Sequence, residues 1–306
     1  MDLAATAAPA FVAEIARGHV ERMSSSTANG FLIGLAGRGI GRSRSPHMHE
    51  REGARMGAVC TYALLDFDRG DLTDADLGTV LAAAEASGFA GLNVTHPFKQ
   101  VVIEHLTDLA PEAAAIGAVN TVVFKSGRRI GHNTDSWGFA ESLRRDLRDA
   151  PLDKVVLFGA GGAGAAVGYA LLECGTALLD IFDQDDARAT YLADRLTERF
   201  GRTVVAVLDP AAALRRASGA VNATPIGMDK YPGVPFEPEL LTDRQWAADI
   251  VYVPAETELL RRARGRGCRT LPGTGMAIFQ AVKAFELFTG IVPDPAAMTQ
   301  HFEAAA

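Results

Sequence analysis

The stretch Lys154-Val155-Val156-Leu157-Phe158-Gly159-Ala160-Gly161-Gly162-Ala163-Gly164 decides the fold. Its apolar run from Val155 to Phe158 predicts a short buried strand. The run stops at Gly159, and residues 165–174 read as a helix. A second apolar run, 177–182, ends at Asp183. Strand, glycine turn, helix, strand and acid, in that order, form the arrangement with which an α/β sheet binds a dinucleotide. Gly159, Ala160, Gly161, Gly162, Ala163 and Gly164 would carry the pyrophosphate. Glycines allow the tight turn and close approach of the backbone, and the anion sits on the free N–H groups of the helix start. Asp183 then stands where an acid accepts hydrogen bonds from the adenosine ribose and repels a 2′-phosphate, which favours NAD. Arg188 is the opposing feature, since an arginine nearby can hold that phosphate. Its position also suits the surface of a helix.

Working outward, the same alternation of strand and helix runs through the chain. Upstream, residues 31–35 and 60–66 predict strands, and 46–52 and 74–86 predict helices. Leu77, Val80, Leu81 and Ala84 fall on one face of the second helix. Residues 89–94 end a further strand. Pro97 is expected to open a helix through residue 106, with Lys99 in its first turn. Residues 118–124 form a strand that turns at Gly127 into a partner ending at Gly131. Downstream, strands are expected at 204–207, 219–223 and 246–251, with helices at 257–264, 276–288 and from 294. The expectation is an α/β protein of two domains. One is an α/β substrate-binding domain with a mostly parallel sheet, residues 29–133 plus 273–306. The other is a Rossmann dinucleotide-binding domain, residues 134–272. Gly131 and Gly273 are hinge candidates. Residues 1–28 read as a leader in which Phe11, Val12 and Ile15 make a short helix. The rest of it, ending Ser24-Ser25-Ser26-Thr27-Ala28, reads as mobile.

Composition narrows the class. The chain has 306 residues, 48% hydrophobic and 22% charged, with net charge −7. That balance argues against nucleic acid or an anionic membrane as partner, because nothing supplies a basic surface. No apolar run approaches the roughly 20 residues of a membrane span. The N-terminus lacks the pattern of a secretory signal. Cys60, Cys174 and Cys268 are far apart and fit neither a disulfide framework nor a metal site. A cytoplasmic protein with reduced thiols is expected, without a metal.

Several polar residues sit where chemistry is done in such folds. Asn93, Thr95 and Lys99 crowd the end of a strand, where open α/β sheets bind ligands. Ser43 and Ser45 stand beside the start of a helix, whose free N–H groups make a seat for a carboxylate. Ser45 would also serve as a plain N-cap. Asp135 follows Thr134 at another helix start, where an acid suits the dipole or accepts from a substrate hydroxyl. Gln280 shares a helix face with Met276, Lys283 and Ala284, and needs a partner in the core or in a ligand.

The chain resembles the shikimate/quinate dehydrogenase family, over nearly all of residues 31–290. The resemblance is carried by Ser43-Arg44-Ser45-Pro46-His47-Met48-His49, Asn93-Val94-Thr95-His96-Pro97-Phe98-Lys99, Gly117-Ala118-Val119-Asn120-Thr121 and Asn133-Thr134-Asp135. The glycine turn, Asn222-Ala223-Thr224-Pro225, Asp249-Ile250-Val251-Tyr252 and the run from Gly275 through Gln280 to Gly290 continue it. It implies reversible NAD(P)-linked oxidation of a ring hydroxyl of shikimate or quinate to the 3-dehydro ketone. Carried over by position, Ser43 and Ser45 would hold the carboxylate. Thr95, Asn120 and Gln280 would bind ring hydroxyls, and Tyr252 would lie near the substrate. Lys99 and Asp135 would be the catalytic pair. Asn222, Ala223, Thr224, Val251 and Gly273 would line the cofactor.

The chemistry of the pair is sound on general grounds. Hydride leaves a carbon only as its hydroxyl proton is removed, so a base must stand within hydrogen-bond reach of that oxygen. A lysine can do this and can stabilise the oxyanion that develops. Within the resemblance, Asp183 and His96 imply the NAD-preferring quinate/shikimate branch, more catabolic than biosynthetic, with NADP as the other possible cofactor. The competing readings are an NADP-linked biosynthetic shikimate dehydrogenase, an aminoshikimate-type dehydrogenase and a catalytically silent NAD-binding regulator. The last would retain the glycine turn with a degraded substrate half. The expected partner is a small cyclic hydroxy-carboxylate, and the expected assembly is a monomer or homodimer.

Overall fold

The computed structural model describes residues 4–24, 29–69 and 72–305. The serine-rich end of the leader, residues 25–28, lies outside the described residues. The chain divides into two compact units, residues 1–134 with 281–306 and residues 135–280.

The first unit opens with helix α1 (Ala4–Ser24), β1 (Gly30–Gly37), α2 (Ser45–Arg55) and β2 (Val59–Asp66). It continues through α3 (Leu77–Ala86), β3 (Gly91–Val94), β4 (Asp108–Leu109), α4 (Pro111–Ile116), β5 (Thr121–Lys125) and β6 (Arg128–His132). The sheet order is β2-β1-β3-β5-β6-β4. Strands β2, β1 and β3 run parallel, and β3-β5 and β5-β6 pair antiparallel. The α1 helix is longer than the short one expected. Val12 is fully buried, and Phe11 and Ile15 pack on the same core as Leu77, Val80, Leu81 and Ala84 of α3. A ring nitrogen of His19 also meets the Thr61 hydroxyl at 2.7 Å. Those contacts tie the segment down, which composition could not foretell.

Helix α5 (Thr134–Asp146) leads into the second unit, with β7 (Lys154–Phe158), α6 (Gly162–Glu173), β8 (Leu178–Phe182) and α7 (Asp186–Phe200). Then follow β9 (Thr203–Ala206), α8 (Pro210–Leu214), β10 (Gly219–Asn222), β11 (Trp246–Asp249), α9 (Glu258–Gly265) and β12 (Arg269–Leu271). The order β12-β11-β10-β7-β8-β9 is parallel throughout. This is the doubly wound sheet the glycine turn predicted, with its strand order reversing between β7 and β10. Its central strand β7 is a continuous apolar run, and Val155, Val156 and Leu157 have no exposed surface. Helices α10 (Thr274–Thr289) and α11 (Pro295–Ala304) close the chain. The division between the units falls inside α5 and α10. Among the described residues no helix is long and apolar enough to cross a membrane.

The α11 helix is fastened within the first unit by Glu52 of α2. The Glu52 side chain is fully buried, accepts the Asp294 N–H at 2.9 Å and pairs with Arg55 at 2.8 Å. Burial alone would raise the Glu52 carboxyl. Arg55, the Asp294 amide and His301 outweigh it and hold the group below its ordinary range.

Candidate functional site

In the first unit, the sheet brings the carboxyl ends of β1 and β3 side by side. Thr95 N donates to Ala36 O at 3.0 Å, and Arg38 N donates to His96 O at 3.1 Å. A Cβ on Gly37 would stand 2.4 Å from the Thr95 methyl, so only glycine allows this approach. The loop after β1 carries Ser43 and leads into α2 at Ser45, and the turn after β3 carries Thr95 and Lys99. The first of these loops is shaped by Asp66, whose carboxylate accepts from Gly39 N at 3.1 Å and Ile40 N at 3.2 Å.

Two local expectations are corrected. Pro97 does not open a helix. Phe98 N bonds back to Thr95 O at 2.8 Å and closes a turn, and only a 3₁₀ segment, Val101–His105, follows. Lys99 therefore lies in a turn, half-buried, with its carbonyl accepting Val119 N at 2.7 Å. Nor is Ser45 the N-cap of α2. It is the first helical residue, and Arg44 holds the capping position without a side-chain cap. The Ser43 hydroxyl accepts from Ser45 N at 3.3 Å, so the two serines share one tight turn.

A buried polar chain joins the remaining residues of this unit. Tyr62 donates its hydroxyl to Asn93 Oδ1 at 2.8 Å, and Asn93 Nδ2 donates to Thr121 Oγ1 at 2.9 Å. Thr121 donates to Asn120 Oδ1 at 3.1 Å, and Asn120 Nδ2 donates to Thr134 Oγ1 at 2.9 Å. Thr134 N donates to Asn120 Oδ1 at 2.7 Å. Asp135, the next residue along, is buried at the first turn of α5. Covalent geometry thus ties Asp135 to a residue that Asn120 holds. Burial pushes the Tyr62 phenol above its ordinary value, so it remains a donor.

In the second unit, β7 ends at Gly159 (φ +101°), where a Cβ would lie 2.9 Å from Ala223 O. A Cβ on Gly164 would lie 2.0 Å from Gly159 O. These two glycines let the turn fold back and the helix approach the strand. Gly161 differs, because a Cβ there meets nothing within 4 Å. It caps α6, and the first N–H groups of that helix follow it. The open space, the helix start and the reversal of strand order fit a dinucleotide pyrophosphate. Asp183 stands at the end of β8 and accepts Ala160 N at 2.7 Å. Arg188 is two-thirds exposed and pairs with Asp185 at 3.2 Å, on the surface of α7.

Beside the turn, Asn222 accepts from Thr224 N at 2.9 Å and donates to Asp249 Oδ1 at 2.9 Å. Asp249 also accepts from Val251 N at 3.0 Å and the Thr257 hydroxyl at 2.7 Å. This carboxyl is buried at the end of β11, and desolvation raises it to about 6 against those three donors. A Cβ on Gly273 would lie 2.3 Å from Ile250 O, which explains the glycine there. Tyr252 is exposed after β11, and Gln280 is half-buried with its amide donating to Ala277 O at 3.0 Å. Sequence reasoning gave no role to Tyr62, Asp66, Thr121, Asp249 or Thr257. For Asp66 and Asp249 the available signal is an acid at the end of an apolar strand.

A Rossmann unit with this turn and acid, in a two-unit α/β chain, defines a dinucleotide-dependent oxidoreductase. The chain belongs to the shikimate and quinate/shikimate dehydrogenase family, whose members are NAD(P)-dependent oxidoreductases. Residues 35–122 match the model of the shikimate dehydrogenase substrate binding domain, and residues 273–301 match that of the shikimate 5′-dehydrogenase C-terminal domain. The chain is 52% identical over 271 residues to a shikimate dehydrogenase (NADP(+)) of Streptomyces avermitilis, covering 88% of this chain and 93% of that one. It is 47% identical to a quinate/shikimate dehydrogenase (NAD(+)) of Corynebacterium efficiens, covering 89% and 97%. Among solved structures, quinate dehydrogenase from Corynebacterium glutamicum in complex with NAD is similar at a TM-score of 0.87. Identity there is 46%, with 90% of this chain and 99% of that one covered.

Proposed function

We propose that this chain reversibly oxidises a ring hydroxyl of quinate or shikimate, with NAD preferred over NADP. The observation that carries the cofactor preference is Asp183, an acid at the end of β8 beside the glycine turn. Each of its oxygens keeps lone pairs for ribose hydroxyls, and its charge opposes a 2′-phosphate. The glycine turn would hold the pyrophosphate, and Asn222, Ala223, Thr224, Val251 and Gly273 would line the rest of the cofactor. Bound NAD supplies the hydride acceptor.

This chain's residues supply binding and proton transfer. Ser43 and Ser45 hold the carboxylate, while Thr95, Asn120 and Gln280 bind ring hydroxyls and Tyr252 flanks the substrate. Lys99 takes the proton from the reacting hydroxyl at Nζ, and Asp135 orients it. In the reverse direction Lys99 returns that proton as the ketone is reduced. The protein works on small molecules, as a cytoplasmic monomer or homodimer. Catalytic efficiency for quinate and shikimate, each with NAD and NADP, tests the reading. The Streptomyces relative favours a second one, NADP-linked shikimate oxidation, and a clear NADP preference would establish it. Lys99→Ala should lower turnover by about a hundredfold or more, a typical contribution of a positioned acid/base. Near-normal turnover would remove Lys99 from the chemistry.

A further inference from the structure

We infer that Thr121 is a positioning residue, whose hydroxyl orients the Asn120 amide so that one N–H of Asn120 is kept for the substrate. The inference rests on the reading of Asn120 as a hydroxyl binder. Amide orientation is settled here by main-chain partners. Thr134 N is a donor only, so the Asn120 atom it meets at 2.7 Å must be oxygen. Asn120 O is an acceptor only, so the Asn93 atom at 3.3 Å from it must be nitrogen.

The amide bonds of the chain then acquire a direction, while the Thr121 and Thr134 hydroxyls lie 3.2 Å apart and either can donate to the other. Asn93 Nδ2 donates to Thr121 Oγ1, so the Thr121 proton is available for Asn120 Oδ1. Thr134 N takes one lone pair of Asn120 Oδ1, and the Thr121 hydroxyl at 3.1 Å takes the other, which it shares with the Thr134 hydroxyl at 3.2 Å. Turned over, the Asn120 amide would set an N–H against the donor-only Thr134 N and lose the Thr121 donation. One of its N–H groups goes to Thr134 Oγ1, and the second is left for a ligand hydroxyl. Thr121 itself has no exposed surface, so it touches no ligand and acts through Asn120 and, at 3.2 Å, the Thr134 hydroxyl. Tyr62 begins the same chain by holding Asn93 Oδ1.

Thr121→Val keeps the shape and removes the hydroxyl, whereas Thr121→Ser keeps the hydroxyl and loses a methyl. A positioning role predicts that Thr121→Val raises the substrate KM about tenfold while the NAD KM stays within about twofold. Thr121→Ser should restore the substrate KM to within about threefold of the parent. Tyr62→Phe, at the far end of the chain, should raise the same constant by a smaller factor, and serves if Thr121→Val does not fold. Parent-like kinetics for Thr121→Val overturn the inference. So does Thr121→Ser impaired more than Thr121→Val, the pattern of a packing role. Where Thr121→Val does not fold, a parent-like substrate KM for Tyr62→Phe overturns the inference. Asn120→Ala separates the two levels. If it leaves the substrate KM unchanged, the reading of Asn120 itself falls; if it is impaired while Thr121→Val is not, only the inference falls.

Discussion

Asp183 at the end of β8 accepts the main-chain hydrogen of Ala160 at 2.7 Å, across the turn that follows β7. The same carboxylate accepts Asp185 N at 3.0 Å. One side chain therefore shapes the glycine turn and presents negative charge beside it. Asp183→Ser should lower catalytic efficiency with NAD and relieve the repulsion against NADP. The NAD to NADP ratio should move toward NADP by about tenfold or more, the scale of one charge-assisted contact. Steady-state kinetics with each cofactor checks this, and an unmoved ratio would remove Asp183 from cofactor choice.

Gly164 touches Gly159 so closely that a methyl group would sit 2.0 Å from the Gly159 carbonyl oxygen. Gly164→Ala must push helix α6 away from β7 or reshape the turn. A loss of about 1–3 kcal/mol in stability is expected from such overpacking. NAD affinity should fall further than substrate affinity, which fluorescence titration of each ligand reads. Gly161→Ala is the control, because a Cβ there meets nothing. It should fold as the parent does and weaken NAD binding alone.

Asp249 is buried, and its carboxyl is raised to about 6 by desolvation. The native state therefore holds a proton that the unfolded chain releases at lower pH. Its contribution to stability is fully present below the unfolded value of 3.8 and is lost as pH rises through about 6. Above that pH the buried charge costs on the order of 3 kcal/mol relative to the protonated form. Asp249→Asn should flatten this part of the stability profile between those two pH values. Denaturant midpoints of parent and variant across that range decide it, and identical slopes would contradict the raised value.

Glu52 joins α2 to α11 through the Asp294 N–H and also pairs with Arg55. Its carboxyl is held below the ordinary range, so its stabilisation is present above the unfolded value and is lost as pH falls through the folded one. Glu52→Ala leaves the Asp294 amide without that acceptor, which should destabilise by about 1–3 kcal/mol. Arg55 is half in solvent, so its released charge adds little. Hydrogen exchange should show the loss first in α11. Uniform loss across the first unit would mean that Glu52 supports the core and not the C-terminal helix.

The candidate site is legible in the sequence as residue types. Ser43, Ser45, Thr95, Lys99 and Asp135 stand where a strand or a loop gives way to another element, whereas Asn120 stands out only through the family resemblance. Their local structure was less legible. Pro97 looked like a helix opener, yet the Thr95 carbonyl captured Phe98 N and made a turn. Ser45 looked like a cap, yet the helix begins on it. Both errors concern boundaries, where one competing hydrogen bond decides the outcome.

By itself the sequence determined the parallel Rossmann sheet, because apolar runs, glycines and an acid at fixed spacing leave few other ways to bury the strands. It also determined which side chains could do chemistry. Only the tertiary structure decided how those side chains are held. Tyr62, Asn93, Thr121 and Thr134 come from separate stretches of chain and form one chain of hydrogen bonds that reaches Asn120, because β1, β2, β3 and β5 lie side by side. Asn222, Asp249 and Thr257 meet for the same reason at the ends of β10 and β11. A buried polar group must find its partner wherever the sheet brings one, and sequence spacing does not record that distance.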